Sequence, residues 1–347
     1  MKFKIRNLSQ YPKLNFLNEK CLFFNCYSTK PPYNALFFGS DAIALNSLQK
    51  VNKFRKTENI INRLDLVTAN NSINKSTIEK FAMSEDINLL TWSNLHLKEN
   101  EYDIGLIVAF GHLIKKEVLD KFPLGMVNVH PSLLPRWRGA APIIHTLLHG
   151  DEVAGVSLMK IKPDLFDVGE IISQKEVQVP EDILLPQLTT QLSDIGAEML
   201  VDCLRCLPSS LDNAKPQSNH CVTYAKKINK SISEVRWSDM TAKQVYNLYR
   251  AIYGLYPLTT NFRNKPMKLF NAFINKDEEE NIDNKPAGSL EYCKRLHAIK
   301  ILCKDNRYVY FRSVRIVGKR EISALDFYNG YIKNVSVVIC SYLCVKH

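Results

Sequence analysis

Residues 34–51 read NALFFGSDAIALNSLQKV. Four unbroken apolar residues, a Gly39-Ser40-Asp41 break and then Ala and Leu at helical spacing read as the first strand and crossover helix of a parallel sheet. Only one glycine stands in that turn, so the GxGxxG fingerprint of a dinucleotide site is absent and a nucleotide cofactor is disfavoured. The alternation continues along the chain. LDLVTA (64–69) reads as a second strand, STIEKFAMSE (76–85) as a helix and YDIGLIVAF (102–110) as a third, wholly apolar strand. IKKEVLDKF (114–122) reads as a helix and GMVNVH (125–130) as a fourth strand. After a helix in AAPIIHTLLHGD (140–151) come a fifth strand, GVSLMKI (155–161), a hairpin partner beyond Asp167-Val168-Gly169, and a helix from Gln187 to Cys206. Apolar strands without alternation, each followed by a helix, belong to a sheet covered on both faces. The expected fold is α/β, a doubly wound and mainly parallel sheet, and such sheets bind ligands beyond the carboxyl ends of their strands.

Residues 209–237 are polar, lack regular apolar spacing and contain Pro216, the signs of a linker. Beyond them MTAKQVYNLYRAI (240–252) is helical. KPMKLFNAF (265–273), GSLEYCK (288–294), HAIKILCKDNRYVYFRSVRI (297–316, with a turn at Asp305-Asn306) and SVVICSYLC (336–344) read as short strands of a small β-barrel. The expected division is 1–32, 33–208, 209–233 as linker, and 234–347.

Charge is unevenly placed. Residues 225–347 hold 22 Lys+Arg against 11 Asp+Glu, a net of +11, so the rest of the chain is neutral. A basic C-terminal third on a neutral body suits a polyanionic partner, with a solvated basic surface as the competing reading. The first 30 residues carry six basic residues and one acid among Phe, Leu and Ile, the composition of a mitochondrial targeting segment. No apolar run approaches the roughly 20 residues of a bilayer span, so no membrane is expected. The 9 cysteines are too scattered for a disulfide framework or a zinc site. Cys203 and Cys206, one helical turn apart, read as core thiols, and no metal is expected.

The chemistry concentrates in MVNVHPSLLPRWRGAAP (126–142). Side chains two apart on a strand share a face, so Asn128 and His130 point together while Val129 enters the core. A carboxamide can donate to an oxygen that becomes negative in acyl transfer, and an imidazole can move a proton. Asp167 can be a simple turn residue, or the carboxylate that fixes the ring's tautomer and orientation. An Asn-x-His pair alone is a weak signal; its surroundings make it specific.

VNVHPSLLPRWRGAAP together with FDVG (166–169) resembles the methionyl-tRNA formyltransferases. GSDAIA (39–44), LIVAFGHLI (106–114), VTYAKKI (222–228), Trp237, Tyr249-Arg250-Ala251, PAGSL (286–290) and LDFYNGY (325–331) extend the resemblance over nearly the whole chain from Tyr33. Pro131 replaces the glycine usual in bacterial members and FDVGEI replaces their LDTGD, as in the animal mitochondrial form. The resemblance implies that Asn128, His130 and Asp167 are catalytic and that the formyl donor is 10-formyltetrahydrofolate. It implies that Ser132, Leu133, Leu134 and Pro135 bind the folate and that Phe110, Gly111 and His112 meet the pterin through backbone atoms. It further implies an OB-like, tRNA-binding barrel, initiator methionyl-tRNA as partner and the mitochondrial matrix; a monomer is expected. Lys226, Lys227, Arg312, Arg315, Lys319 and Arg320 are candidates to meet phosphate, and Arg136 and Arg138 either meet the acceptor end or brace their loop. The long Arg-rich insertion of bacterial members is replaced by the short ANNSINKS (69–76). Another folate-dependent formyltransferase, a formyl-folate hydrolase, or a non-catalytic tRNA-binding protein are the alternatives; the last would predict loss of the Asn-His-Asp set, which is present.

Overall fold

A computed structural model describes residues 30–69, 75–276, 285–333 and 338–341. The N-terminal basic segment and most of ANNSINKS lie outside the described residues. The first sheet is built from β1 (Tyr33–Phe38), β2 (Ile61–Thr68), β3 (Leu89–Thr91), β4 (Ile104–Val108), β5 (Met126–His130), β7 (Val153–Lys160) and β8 (Ile171–Gln178), with the two-residue β6 (Arg138–Gly139) standing apart. Its order is β3-β2-β1-β4-β5-β7-β8. The five strands from β3 to β5 pair in parallel, and β7 and β8 are antiparallel additions. The chain winds one way from β1 through β2 to β3 and the other way from β4, so the topological switch lies between β1 and β4. That is where such a sheet opens a crevice at its carboxyl edge.

Helices α1 (Ala42–Thr57), α2 (Thr77–Ser84), α3 (Lys116–Leu119), α4 (Pro142–His149) and α5 (Leu185–Arg205) follow the strands. Asp41 caps α1 by accepting from the Ile43 and Ala44 amides, and Ser76 with Glu79 forms a capping box on α2. The central strands are buried along their length, which is why their sequences do not alternate. Gly196 of α5 lets that helix approach β5: a Cβ there would stand 2.5 Å from Cγ1 of Val129, the core-facing residue between Asn128 and His130.

Three readings of the sequence need correction. β3 is an additional edge strand of three half-buried residues, too short to show a period. The helix expected over 114–122 is a single turn, because the chain before Pro123 is biased away from helix. Cys203 is buried, but Cys206 sits past the end of α5 and is exposed, so the two thiols do not share a core environment.

Residues read from the sequence as a linker are pinned to the first sheet. They hold α6 (Ser209–Asp212) and β9 (Tyr224–Ala225), which pairs with β6, while Lys215 bridges to Ile171. Beyond lie α7 (Ala242–Ile252) and a sheet of β10 (Leu258–Phe262), β11 (Lys265–Phe273), β12 (Leu290–Cys293), β13 (Ala298–Leu302), β14 (Tyr308–Ile316), β15 (Ile322–Ser323) and β16 (Cys340–Ser341). Its order is β12-β13-β14-β11-β10-β16, with β15 on β14. The two edges meet, since the Leu290 amide donates to Val338 O and the Cys340 amide to Gly288 O. This closure removes exposed strand edges and makes the antiparallel sheet a barrel. α7 lies between barrel and α4, and its Asn247 abuts Gly150 at the end of α4.

Candidate active site

A cavity of about 970 Å³ opens at the carboxyl ends of β1, β4 and β5. Its walls are the start of α1, the Val108–Ile114 segment, the 165–167 loop, α4 and α5. Asn128 and His130 project into it from β5, two residues apart as strand periodicity requires. Asp167 reaches them from the loop between β7 and β8. Both Asn128 Nδ2, at 3.4 Å, and His130 Nδ1, at 3.5 Å, face the same carboxylate oxygen, Asp167 Oδ1. The other carboxylate oxygen accepts from the Gly139 amide at 2.8 Å. His130 is 4% and Asp167 8% exposed, so this polar cluster sits almost out of water.

The imidazole is oriented on its far side. His130 Nε2 lies 2.9 Å from Trp137 O, and a carbonyl can only accept, so Nε2 carries a hydrogen. The Trp137 carbonyl therefore fixes the tautomer that the sequence suggested Asp167 would fix. Nδ1 is left as the ring nitrogen through which a proton can pass to or from Asp167. A carboxamide has two N–H donors, so Asn128 can hold Asp167 with one and offer the other to a ligand oxygen.

Several backbone constraints hold this arrangement. Asp167 (φ 54°), Trp137 (φ 63°) and Ala109 (φ 48°) are left-handed non-glycine residues at the cavity or just behind it. Such residues persist where the surroundings over-determine them. Gly139 has φ 123°, and a Cβ there would stand 2.6 Å from Ala225 O, so only glycine lets its amide reach Asp167.

Residues that the sequence did not single out complete the frame. Gln217, from the stretch expected to be a linker, donates through Nε2 to Asp167 O and Gly169 O, and accepts from Arg138 through Oε1. Thr223 Oγ1 accepts from the Trp137 amide. Ser157, wholly buried on β7, donates to Ser132 O and accepts from the Leu134 amide and Gln174 Nε2. Nothing in the spacing of Gln217, Thr223 or Ser157 marks them, because their partners lie on other, distant segments of the chain.

Phe110, Gly111 and His112 line the cavity, with His112 exposed and ringed by Phe110 at 5.0 Å and Trp92 at 5.8 Å. Ser132, Leu133, Leu134 and Pro135 do not line it. Ser132 Oγ donates to Arg136 O, Leu134 is buried, and both Leu134 backbone groups are taken by Ser157 and Gln174. Their polar groups are turned inward and shape the loop that follows His130. Arg136 is a brace: its guanidinium makes a two-pronged contact with Asp151 and lies 4.2 Å over the Trp137 ring, whose Nε1 donates to the same carboxylate. Arg138 is likewise held by Gln217. Among the described residues no group of three or more His, Cys, Asp or Glu can hold a metal. No described helix is long and apolar enough to cross a membrane.

The barrel contributes a different surface. Arg312 lies over Phe273 at 4.7 Å and Arg315 over Phe270 at 5.5 Å, with Lys268 directly across from Arg315 on β11. Lys226, Lys227, Arg312, Lys319 and Arg320 are exposed.

Residues 68–204 match the formyl transferase family model and residues 227–332 its C-terminal domain. The mitochondrial methionyl-tRNA formyltransferase of Bos taurus is 39% identical over 312 residues, which is 87% of this chain and 78% of that protein. The chain belongs to the methionyl-tRNA formyltransferases. The methionyl-tRNA formyltransferase of Fusobacterium nucleatum is 27% identical across 88% of this chain and 99% of its own length. Among solved structures, a sugar 3-N-formyltransferase crystallised with dTDP and 5-N-formyltetrahydrofolate is 20% identical and superposes with a TM-score of 0.60 over 83% of this chain and 99% of its own. At that identity the likeness is one of fold. Membership of the family agrees with the residues quoted from the sequence and with the two-domain architecture.

Proposed function

We propose that this protein transfers the formyl group of 10-formyltetrahydrofolate to the α-amino group of initiator methionyl-tRNA, acting as a monomer in the mitochondrial matrix. The observation that carries the reading is the convergence of Asn128 and His130 on one oxygen of Asp167, inside a cavity of a chain of this family. The mitochondrial names of relatives such as the bovine one support the compartment, as does the basic N-terminal composition.

An aminoacyl amine with a pKa of about 7.7 or below, near that of an α-amino group, has a substantial reactive free-base fraction near neutral pH. It attacks the formyl carbon, and the carbonyl oxygen takes the electron pair. Asn128 Nδ2 stabilises that oxyanion, as a buried donor aimed at developing charge does. Asp167 accepts the proton that the attacking nitrogen loses and, directly or through water, delivers it to N10 of the folate as the C–N10 bond breaks. The Nδ1 edge of His130 balances the changing charge on Asp167, its Nε2 edge being held by Trp137 O. Phe110, Gly111 and His112 are suited to one flat edge of the pterin, with the exposed Leu165 and Phe166 forming an apolar lip opposite. The basic, aromatic-flanked face around Arg312 and Arg315 suits the phosphates of a tRNA.

The assay mixes the full chain with 10-formyltetrahydrofolate and methionyl-tRNA and measures formylmethionyl-tRNA. The native chain is expected to form it and His130→Ala to form it orders of magnitude more slowly. A chain that releases formate or tetrahydrofolate yet leaves the tRNA unmodified keeps the site and loses the acceptor. A chain that binds tRNA but consumes no formyl-folate under any condition overturns the enzymatic reading.

A further inference from the structure

Arg250 of α7 is 2% exposed, and its partners are carbonyl oxygens rather than a carboxylate. Nη1 donates to Pro180 O at 3.4 Å and Ile183 O at 3.2 Å, Nη2 donates to Asn247 Oδ1 at 2.7 Å, and the buried Nε has no hydrogen-bond partner among the described residues. The acids beside it are engaged elsewhere: Glu181 by Lys243 and Lys276, and Asp182 by the Tyr246 hydroxyl. A buried charge is weak grounds for stability, since apolar residues of like volume often serve as well. What a guanidinium adds is a rigid planar fork, which sets the angle between the groups it joins.

The groups joined here belong to both domains. α7 is tied to the barrel, where the Ala242 amide donates to Asp305 Oδ1 and the Lys304 amide to Met240 O. Pro180 and Ile183 lie in the turn between β8 and α5, directly before the helix whose Leu185, Thr189 and Leu192 line the cavity. Asn247, hydrogen-bonded to Arg250 on the same helix, packs its carboxamide against Gly150, the left-handed residue that ends α4; a Cβ there would stand 2.6 Å from Asn247 Nδ2. Pro142, Ile143 and Ile144 of α4 form another part of the cavity wall, and Leu255, just past α7, lines the cavity itself. One hydrogen-bonded pair on a helix of the C-terminal domain thus meets both α4 and the start of α5.

We propose that Asn247 and Arg250 are positioning residues, an interdomain clamp that fixes the angle of the barrel to the cavity so that an acceptor held on the barrel delivers its reactive end to Asn128. The inference rests on the reading of the acceptor as a tRNA and assigns the joint through which its two points of contact are kept in register. A polyanion gripped by spread charges is held loosely, whereas the attacking amine must arrive within a fraction of an ångström. A rigid joint between the two reconciles them: the barrel supplies affinity, and the clamp turns that affinity into alignment.

The test compares native enzyme, Arg250→Met, Arg250→Lys and Asn247→Ala on methionyl-tRNA and on methionyl-adenosine, an acceptor too small to engage the barrel, and records tRNA affinity by filter binding and the KM for 10-formyltetrahydrofolate. In the variants, formylation of bound methionyl-tRNA is expected to slow about tenfold or more, since misplacement of an ångström costs up to about 10²-fold. The rate on methionyl-adenosine, the tRNA affinity and the folate KM stay at native values. Arg250→Lys keeps the charge but loses the fork, so it does not restore the rate, and it carries the test if Arg250→Met fails to fold. Where methionyl-adenosine reacts too slowly to time, the dissociation constant of 10-formyltetrahydrofolate takes its place as the measure of an intact cavity. Equal losses on both acceptors or weakened folate binding mean that the pair only supports the cavity wall, and overturn the clamp; weakened tRNA affinity as the sole defect, or no loss at all, overturns it too. A native chain that formylates methionyl-adenosine as readily as methionyl-tRNA overturns the reading of the acceptor instead, a failure separate from that of the clamp.

Discussion

The cavity and the basic face of the barrel are built on opposite principles. In the cavity every functional atom is fixed by several others: Asp167 is held by a left-handed backbone, by the Gly139 amide, and through its own carbonyl by Gln217. On the barrel, positive charge is spread over Lys268, Arg312, Arg315, Lys319 and Arg320, with aromatic rings beneath two of the arginines. Bond making requires reacting atoms within a fraction of an ångström, whereas screened attraction to phosphates tolerates movement and sums over many weak interactions. Damage to the first should therefore be steep and local, and damage to the second shallow and additive.

The steepest losses test that contrast in the cavity. Replacing Asp167 by Asn keeps an acceptor for the Gly139 amide but removes the proton carrier, so kcat is expected to fall about 10²- to 10⁴-fold while tRNA affinity, read by filter binding, stays put. A comparable loss of tRNA affinity would merge the two regions into one. Gln217→Ala leaves all three central residues in place and removes the tie on the Asp167 loop. A drop in kcat of about tenfold or more, with the folate KM little changed, is the expected outcome, since misplacement of an ångström costs up to about 10²-fold. An unchanged kcat would show that Gln217 only staples the linker.

On the barrel the effects are smaller. Lys268→Ala and Arg315→Ala are each expected to weaken tRNA binding a few-fold and to flatten the slope of log affinity against log salt by about 0.7 to 0.9 for each phosphate that is no longer neutralised. Their turnover at saturating tRNA should match the native value; a turnover defect would break the division of labour.

The smallest effect lies where the two regions join. His145 of α4 donates through Nε2 to Lys226 O, and burial, chiefly, lowers its pKa below the usual 6.5. The unfolded chain then takes up the proton first, so the stability contributed by neutral His145 is fully present above pH 6.5 and is lost as pH falls from there through the lowered value. His145→Gln should narrow the difference in Tm between about pH 7.5 and pH 5.5, on either side of the ordinary histidine pKa. An unaltered difference would mean that this histidine does not contribute to the acid limb.

Much of this was legible in the chain. Residues 34–51 announced β1 and α1 because a strand buried on both faces leaves an unbroken apolar run and its helix an apolar stripe. Asn128 and His130 could be paired from spacing, since strand periodicity alone puts them on one side. β3 escaped because three residues carry no period, and the helix read over 114–122 is only the single turn of α3. The inward turning of Ser132 and Leu134 escaped because it depends on Ser157 and Gln174, more than twenty residues away.

The class of sheet, the strand end at which chemistry collects and the basic character of the C-terminal third could be read from the chain alone. These follow from local patterns: period, turn residues and charge. It took the folded chain to show that Trp137 O orients His130, that Gln217 belongs to the site frame, and that Asp151 and Gln217 hold Arg136 and Arg138. Hydrogen bonds between distant segments depend on where folding brings them, and a pattern of neighbours in sequence does not encode that meeting.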